Sequence, residues 1–110
     1  MTDPSKLKMY ILVADDVPLG HAINSAAHAS LACYLTYQDV PLMQDWVKHS
    51  FRKVTCKVTR EQLAEAVKFG DEVIHYKTIT ESALNGTITA VAICPKKEWP
   101  AWFATLPLYK

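Results

Sequence analysis

His21, Asn24, Ser25 and His28 stand at spacings of three, four and seven in a segment, His21 to Tyr37, that contains no Pro or Gly. On a helix those spacings line them along one side of the first two turns. An imidazole titrates near neutrality, so the one at His21 can exchange a proton at working pH. His21 follows Gly20, at a helix start whose free amides and positive dipole end suit an oxyanion or a phosphate. It is a candidate base or phosphate contact, and a side chain that only caps or solvates the helix end accounts for it equally. Ser25 and His28 are three apart and can touch, which suggests nucleophilic chemistry if an orienting acid and oxyanion donors are also present. The competing expectation for His28 is packing against a sheet with a hydrogen bond to a neighbour. His21 and His28 lie roughly two turns apart, too far to chelate one ion without other partners, so no metal and no cofactor are expected.

The elements that position these residues follow from patterning. Met9 to Val13 is an unbroken apolar run, interrupted by Asp15, Asp16, Pro18 and Gly20, which predicts a buried central strand and a turn. Asp15 and Asp16 at that strand end can orient a histidine or a water, or can bond nearby turn amides. Pro41 suits the first position of a short helix whose buried side is Leu42, Met43, Trp46 and Val47. Phe51 to Val58 alternates as a half-exposed strand. Thr59-Arg60-Glu61-Gln62 matches a capping box, and Gly70 is expected to close the helix that follows. Glu72 to Lys77 predicts a weak strand and Thr78 to Gly86 a polar loop. Thr87 to Cys94 predicts a second central strand, in which Thr89 needs no function to explain it. Glu98 to Ala104 predicts a final helix, and Leu106 to Tyr109 an edge strand. The fold class is α/β, a sheet layered by helices, in a single domain over residues 1–110.

Composition narrows the function. The formal net charge is +1, which gives no case for nucleic-acid binding through bulk positive charge. Lys48, His49, Arg52, Lys53, Lys57 and Arg60 are a local basic cluster, and Lys96-Lys97 is another; such groups can hold phosphates or serve as a solvated face. Trp99, Trp102 and Phe103 can stack bases, or cover a sheet or a dimer contact. Three cysteines, Cys33, Cys56 and Cys94, without a C-x-x-C pair argue against a disulfide framework and for a reducing compartment. Met1 to Lys6 reads as a polar leader, and no run is long enough to span a bilayer, so an intracellular protein is expected.

Lys8-Met9-Tyr10-Ile11-Leu12-Val13, the Asp-Val at Asp16, Gly20 and Ala26-Ala27-His28-Ala29 resemble the archaeal and eukaryotic type of peptidyl-tRNA hydrolase. Lys53-Val54, Gly86, Thr89, Pro95 and Leu106-Pro107-Leu108-Tyr109 extend the resemblance over nearly the whole chain. It implies a mixed sheet of four to five strands sandwiched by helices, commonly a cytoplasmic homodimer, acting on tRNA or acylated tRNA with no membrane. Where that family carries lysine, glutamine and histidine after the glycine, this sequence has His21, Ser25 and His28. The family's Asp-x-Gly-x-Thr falls at Lys77 to Glu81, so Lys77 stands where an acid is usual. The implied catalytic set is His21, Ser25, Asp16 and Thr89, with Gly20, Asn24, His28 and Lys77 toward substrate. Two functions follow: an esterase cleaving peptidyl-tRNA or a related acyl ester, with His21 replacing the lysine, or an inactive homologue serving as a tRNA-binding or protein-interaction module.

Overall fold

The structure, a computed structural model, describes residues 7–73 and 75–110; the leader Met1 to Lys6 lies outside the described residues. The elements run β1 (Lys8–Ala14), α1 (Leu19–Tyr37), α2 (Pro41–His49), β2 (Arg52–Val58), α3 (Arg60–Val73), β3 (Tyr76–Glu81) and β4 (Thr87–Lys96). The four strands form one sheet in the order β2-β1-β4-β3. Only β1 and β2 run parallel; β4 is antiparallel to both its neighbours. The two apolar runs are the two inner strands, since only residues with neighbours on both edges and cover on both faces need be apolar throughout.

α1 lies on β4, β3 and β1 through its small side chains. Ala22, Ser25, Ala29 and Cys33 are buried, whereas Leu19, Ile23, Leu31 and Leu35 stand exposed. Small residues let the helix backbone sit close to the sheet, and that face wins over the bulkier one. Cys33 Sγ and Cys94 Sγ come within 3.2 Å, tying α1 to β4. The hydrogen bond with Cys94, followed by burial, pushes the Cys33 thiol well above its usual range, so it stays protonated. On α2, Pro41 occupies the first turn, Met43 and Trp46 turn inward, and the Trp46 indole N–H donates to the Arg52 carbonyl at 2.7 Å.

The opposite face is covered by α3 and the C-terminal segment. The capping box forms: the Gln62 amide donates to Thr59 Oγ1 at 3.1 Å, and the Thr59 amide to Gln62 Oε1 at 2.9 Å. Gly70 does not close α3, which continues to Val73. The glycine instead leaves room for the Tyr76 ring, whose Cγ would lie 2.6 Å from a Cβ at that position. The strand expected over Glu72 to Lys77 is displaced to Tyr76–Glu81, and much of the supposed loop is this strand. It is an edge strand with half-buried, mostly polar side chains, so its alternation carries little apolar signal. A 3₁₀ turn, Ser82–Leu84, and the left-handed pair Asn85 (φ 60°) and Gly86 (φ 72°) then lead into β4.

The final helix is a 3₁₀ turn, Ala101–Thr105, that starts behind Pro100. Leu106 to Tyr109 supplies no fifth strand but a single bridge between Leu108 and Cys56. Pro107 accepts from the Lys57 amide at 3.0 Å but has no amide to return, which interrupts the ladder. Phe103 on the 3₁₀ turn packs against Tyr10, Phe69, Trp99 and Trp102, with ring centroids 4.2–5.2 Å apart. The aromatic run therefore covers the sheet.

Candidate functional site at the carboxyl edge of the central strand

The alternation of strand directions places the ends of β1, β2 and β3 and the beginning of β4 at one edge of the sheet. Asp16, His21, Arg60 and Glu81 gather there. Arg60, the first residue of α3, grips Asp16 with two parallel bonds, Nε to Oδ2 at 2.9 Å and Nη2 to Oδ1 at 2.8 Å. Its Nη1 donates to the Ile88 carbonyl. This fork joins the turn after β1 to the start of β4. The hydrogen bond from Arg60 is the main cause holding the Asp16 carboxyl below its usual range, and the same contact raises Arg60.

Because Asp16 is depressed in the folded state, its contribution is present above the ordinary carboxylate range and is lost as pH falls through the depressed value. Asp16→Asn is therefore expected to lower Tm slightly near pH 7. The gap to the native chain should close below about pH 4. Thermal melts across that range check this, and a gap that widens on acidification contradicts it.

His21 Nδ1 lies 3.9 Å from Glu81 Oε2, with side chains 39% and 26% exposed respectively. The other Glu81 oxygen accepts from the Ala83 amide at 3.2 Å, which fixes the carboxylate toward α1. Among the described residues no side chain caps α1, and its first bond runs from the Ala22 amide to the Pro18 carbonyl at 2.8 Å. The amides of Leu19, Gly20 and His21 therefore precede the helical ladder.

Ser25 and Thr89 meet beneath this edge. Ile79 pairs with Ala90 but Thr80 with Ile88, so β4 carries Thr89 as an extra residue. Such a bulge re-aims a side chain, and here Thr89 Oγ1 shares a 2.7 Å hydrogen bond with Ser25 Oγ in the buried interior. The Thr89 hydroxyl also lies 3.4 Å from the Ile79 carbonyl. Thr89→Val strands the Ser25 hydroxyl and is expected to cost about 1–3 kcal/mol in urea denaturation. Adding Ser25→Ala should recover most of that loss; a double variant no better than Thr89→Val contradicts the pairing.

Of the remaining sequence candidates, Gly20 stands at this edge through its backbone amide, whereas Asn24, His28 and Lys77 do not join the His21–Glu81 pair. His28 is exposed, so it neither packs on the sheet nor pairs with Ser25, whose hydroxyl points inward to Thr89. Asn24 is exposed on α1. Gly20 is also exposed, and a Cβ there meets nothing within 4 Å. Lys77 sits within β3 opposite Ala92, and its charge is felt at Cys33. The basic cluster is dispersed: Arg60 is engaged at this edge, Lys53 lies over Phe51 and Lys57 over Tyr109.

Glu81 and Arg60 are the residues that sequence reasoning missed as partners. Glu81 ends the Lys77 to Glu81 window, and continuing the β3 alternation would have placed it at the strand end. Arg60 was visible only as part of a capping box and a basic cluster. Among the described residues, no group of three or more His, Cys, Asp or Glu is arranged to hold a metal ion.

Fold and site together define an α/β protein, helices on both faces of a mixed sheet, with its polar groups collected at the strand ends where such sheets bind ligands. Within that class, the model of the family Peptidyl-tRNA hydrolase PTH2 matches residues 7–107, and the chain belongs to that family. Among curated proteins nothing matches the chain.

Proposed function

We propose that the chain hydrolyses the ester between a peptide and the tRNA ribose, with His21 as the proton carrier. The observation that carries this reading is the His21–Glu81 pair beside the uncapped start of α1. His21 takes a proton from the attacking water, and the amides of Leu19, Gly20 and His21 donate to the oxyanion formed on the ester carbonyl. When the tetrahedral intermediate collapses, the proton passes to the departing ribose oxygen. Glu81, 3.9 Å from Nδ1, balances the imidazolium charge that forms on the ring. Asp16 acts indirectly, by holding Arg60 across the turn, and Ser25 with Thr89 anchors α1 to β4 as positioning residues. Binding of tRNA, a homodimeric assembly and a cytoplasmic location belong to the same proposal. Among the described residues, no helix is long and apolar enough to cross a membrane.

A second reading is a homologue that binds tRNA without cleaving it. It is favoured by Lys77 at the family's acidic position and by the sealed Ser25 hydroxyl. Peptidyl-tRNA cleavage by the purified chain, measured beside a positive-control hydrolase, separates the two. Release above the buffer rate supports hydrolysis. No release at high protein concentration, with tRNA still retained, supports binding alone.

A further inference from the structure

The flank of α1 away from His21 borders a second feature. An open groove of about 550 Å³ lies between α1, α2 and the β1–β2 half of the sheet. That volume is in the range of small-ligand sites, roughly 300–1,000 Å³. Its walls include Ile11, Leu31, Tyr34, Trp46 and Phe51, and among the described residues its one charged lining residue is Lys53.

Lys53 is placed unusually. Its Nζ donates to the Phe51 carbonyl at 2.8 Å and stands 3.4 Å from the Phe51 ring centroid and 5.1 Å from that of Trp46. No carboxylate among the described residues is within ion-pair reach of it. Ring faces attract a cation, but they do not neutralise it. Burial lowers the lysine below its ordinary range, as expected for an ammonium partly removed from water without a counter-ion.

Phe51 adds an independent observation. Its amide donates to the Trp46 carbonyl to close α2, and its φ is 64°. A helix end of this kind ordinarily uses glycine, because a bulky L residue is strained there. Phenylalanine instead supplies a ring, 57% exposed, to the rim of the groove beneath the ammonium.

We propose that this groove binds an amphiphilic monoanion, a carboxylate on an aliphatic or aromatic body, with the charge against Lys53 and the body along Leu31, Tyr34 and Trp46. The site is separate from the His21 edge and goes beyond the hydrolase reading.

Calorimetric titration of the full chain with dodecanoate, below its micellar concentration, tests this. Dodecanol and dodecyltrimethylammonium serve as neutral and cationic comparisons. Saturable binding that prefers dodecanoate is expected. Lys53→Met, which keeps an apolar stem, should weaken dodecanoate by about tenfold or more while leaving dodecanol unchanged, and Lys53→Arg should restore it. Native-like melting of both variants guards against misfolding; if Lys53→Met fails to melt like the native chain, the preference of the native chain among the three amphiphiles decides. Equal affinity for all three, or none for dodecanoate, overturns the proposal. So does sedimentation as a dimer that Leu31→Glu converts to monomer, which would assign the groove to a second copy of the chain.

Discussion

Replacing His21 by alanine is expected to slow peptide release from peptidyl-tRNA by about 10²–10⁴-fold, the usual contribution of a positioned acid–base group. The loss should fall mainly on kcat, because in the proposed reaction the ring acts on the proton in flight rather than on the remote parts of the tRNA. Stability should move little, since the side chain is 39% exposed and His21 is not one of the buried core residues, and surface changes typically stay within about 0.5 kcal/mol. Glu81→Gln keeps an acceptor for the Ala83 amide while removing the charge beside His21, so it should give a smaller loss in kcat with an intact fold. Single-turnover rates with saturating protein separate these effects. Full activity in His21→Ala would remove the imidazole from the reaction.

The largest expected stability change comes from the other side of the sheet. Phe103 is 1% exposed and its ring meets those of Tyr10, Phe69, Trp99 and Trp102. It is carried by a short 3₁₀ turn, so side-chain packing rather than a long hydrogen-bonded helix holds this segment to the sheet. Phe103→Ala removes the central ring and leaves a cavity, with an expected cost of about 3–5 kcal/mol. That is a large part of the roughly 5–15 kcal/mol available to an ordinary chain of this kind. The exposed Leu108→Ala should change stability by only about 0.5 kcal/mol or less. Urea denaturation of both variants checks the contrast, and a Phe103→Ala midpoint close to native would show that the aromatic cluster does not anchor the segment.

Much of the fold was legible because its strongest patterns have single physical causes. β1 and β4 are apolar on both faces, and only inner strands of a covered sheet require that. The Thr59–Gln62 box and Pro41 marked helix starts through their local chemistry. β3 was misplaced because an edge strand can be polar and still pair, so neither period nor composition marks its ends. Gly70 misled for a different reason: the same missing side chain that suits a helix end also admits the Tyr76 ring.

The site was less legible than the fold. Local spacing placed His21 at the start of α1, but which face of α1 meets the sheet depended on a competition between small and bulky residues. That competition turned Ser25 inward and left His28 in solvent. The Asp16–Arg60 fork joins residues 44 positions apart. It exists because β1 and β2 run parallel and therefore end together, a fact of topology that no local pattern carries. Glu81 reaches His21 through the same convergence of strand ends.

The most direct test of where substrate chemistry takes place is amide chemical-shift mapping of the ¹⁵N-labelled chain titrated with a peptidyl-tRNA mimic whose ester is replaced by an amide. The largest changes are expected at Gly20, His21, Ala22, Glu81 and Ala83, with little change at Leu31, Val47 or Phe51. Changes confined to the α1–α2 flank, with Gly20, His21 and Glu81 unmoved, would contradict a reaction centre at the carboxyl edge of β1.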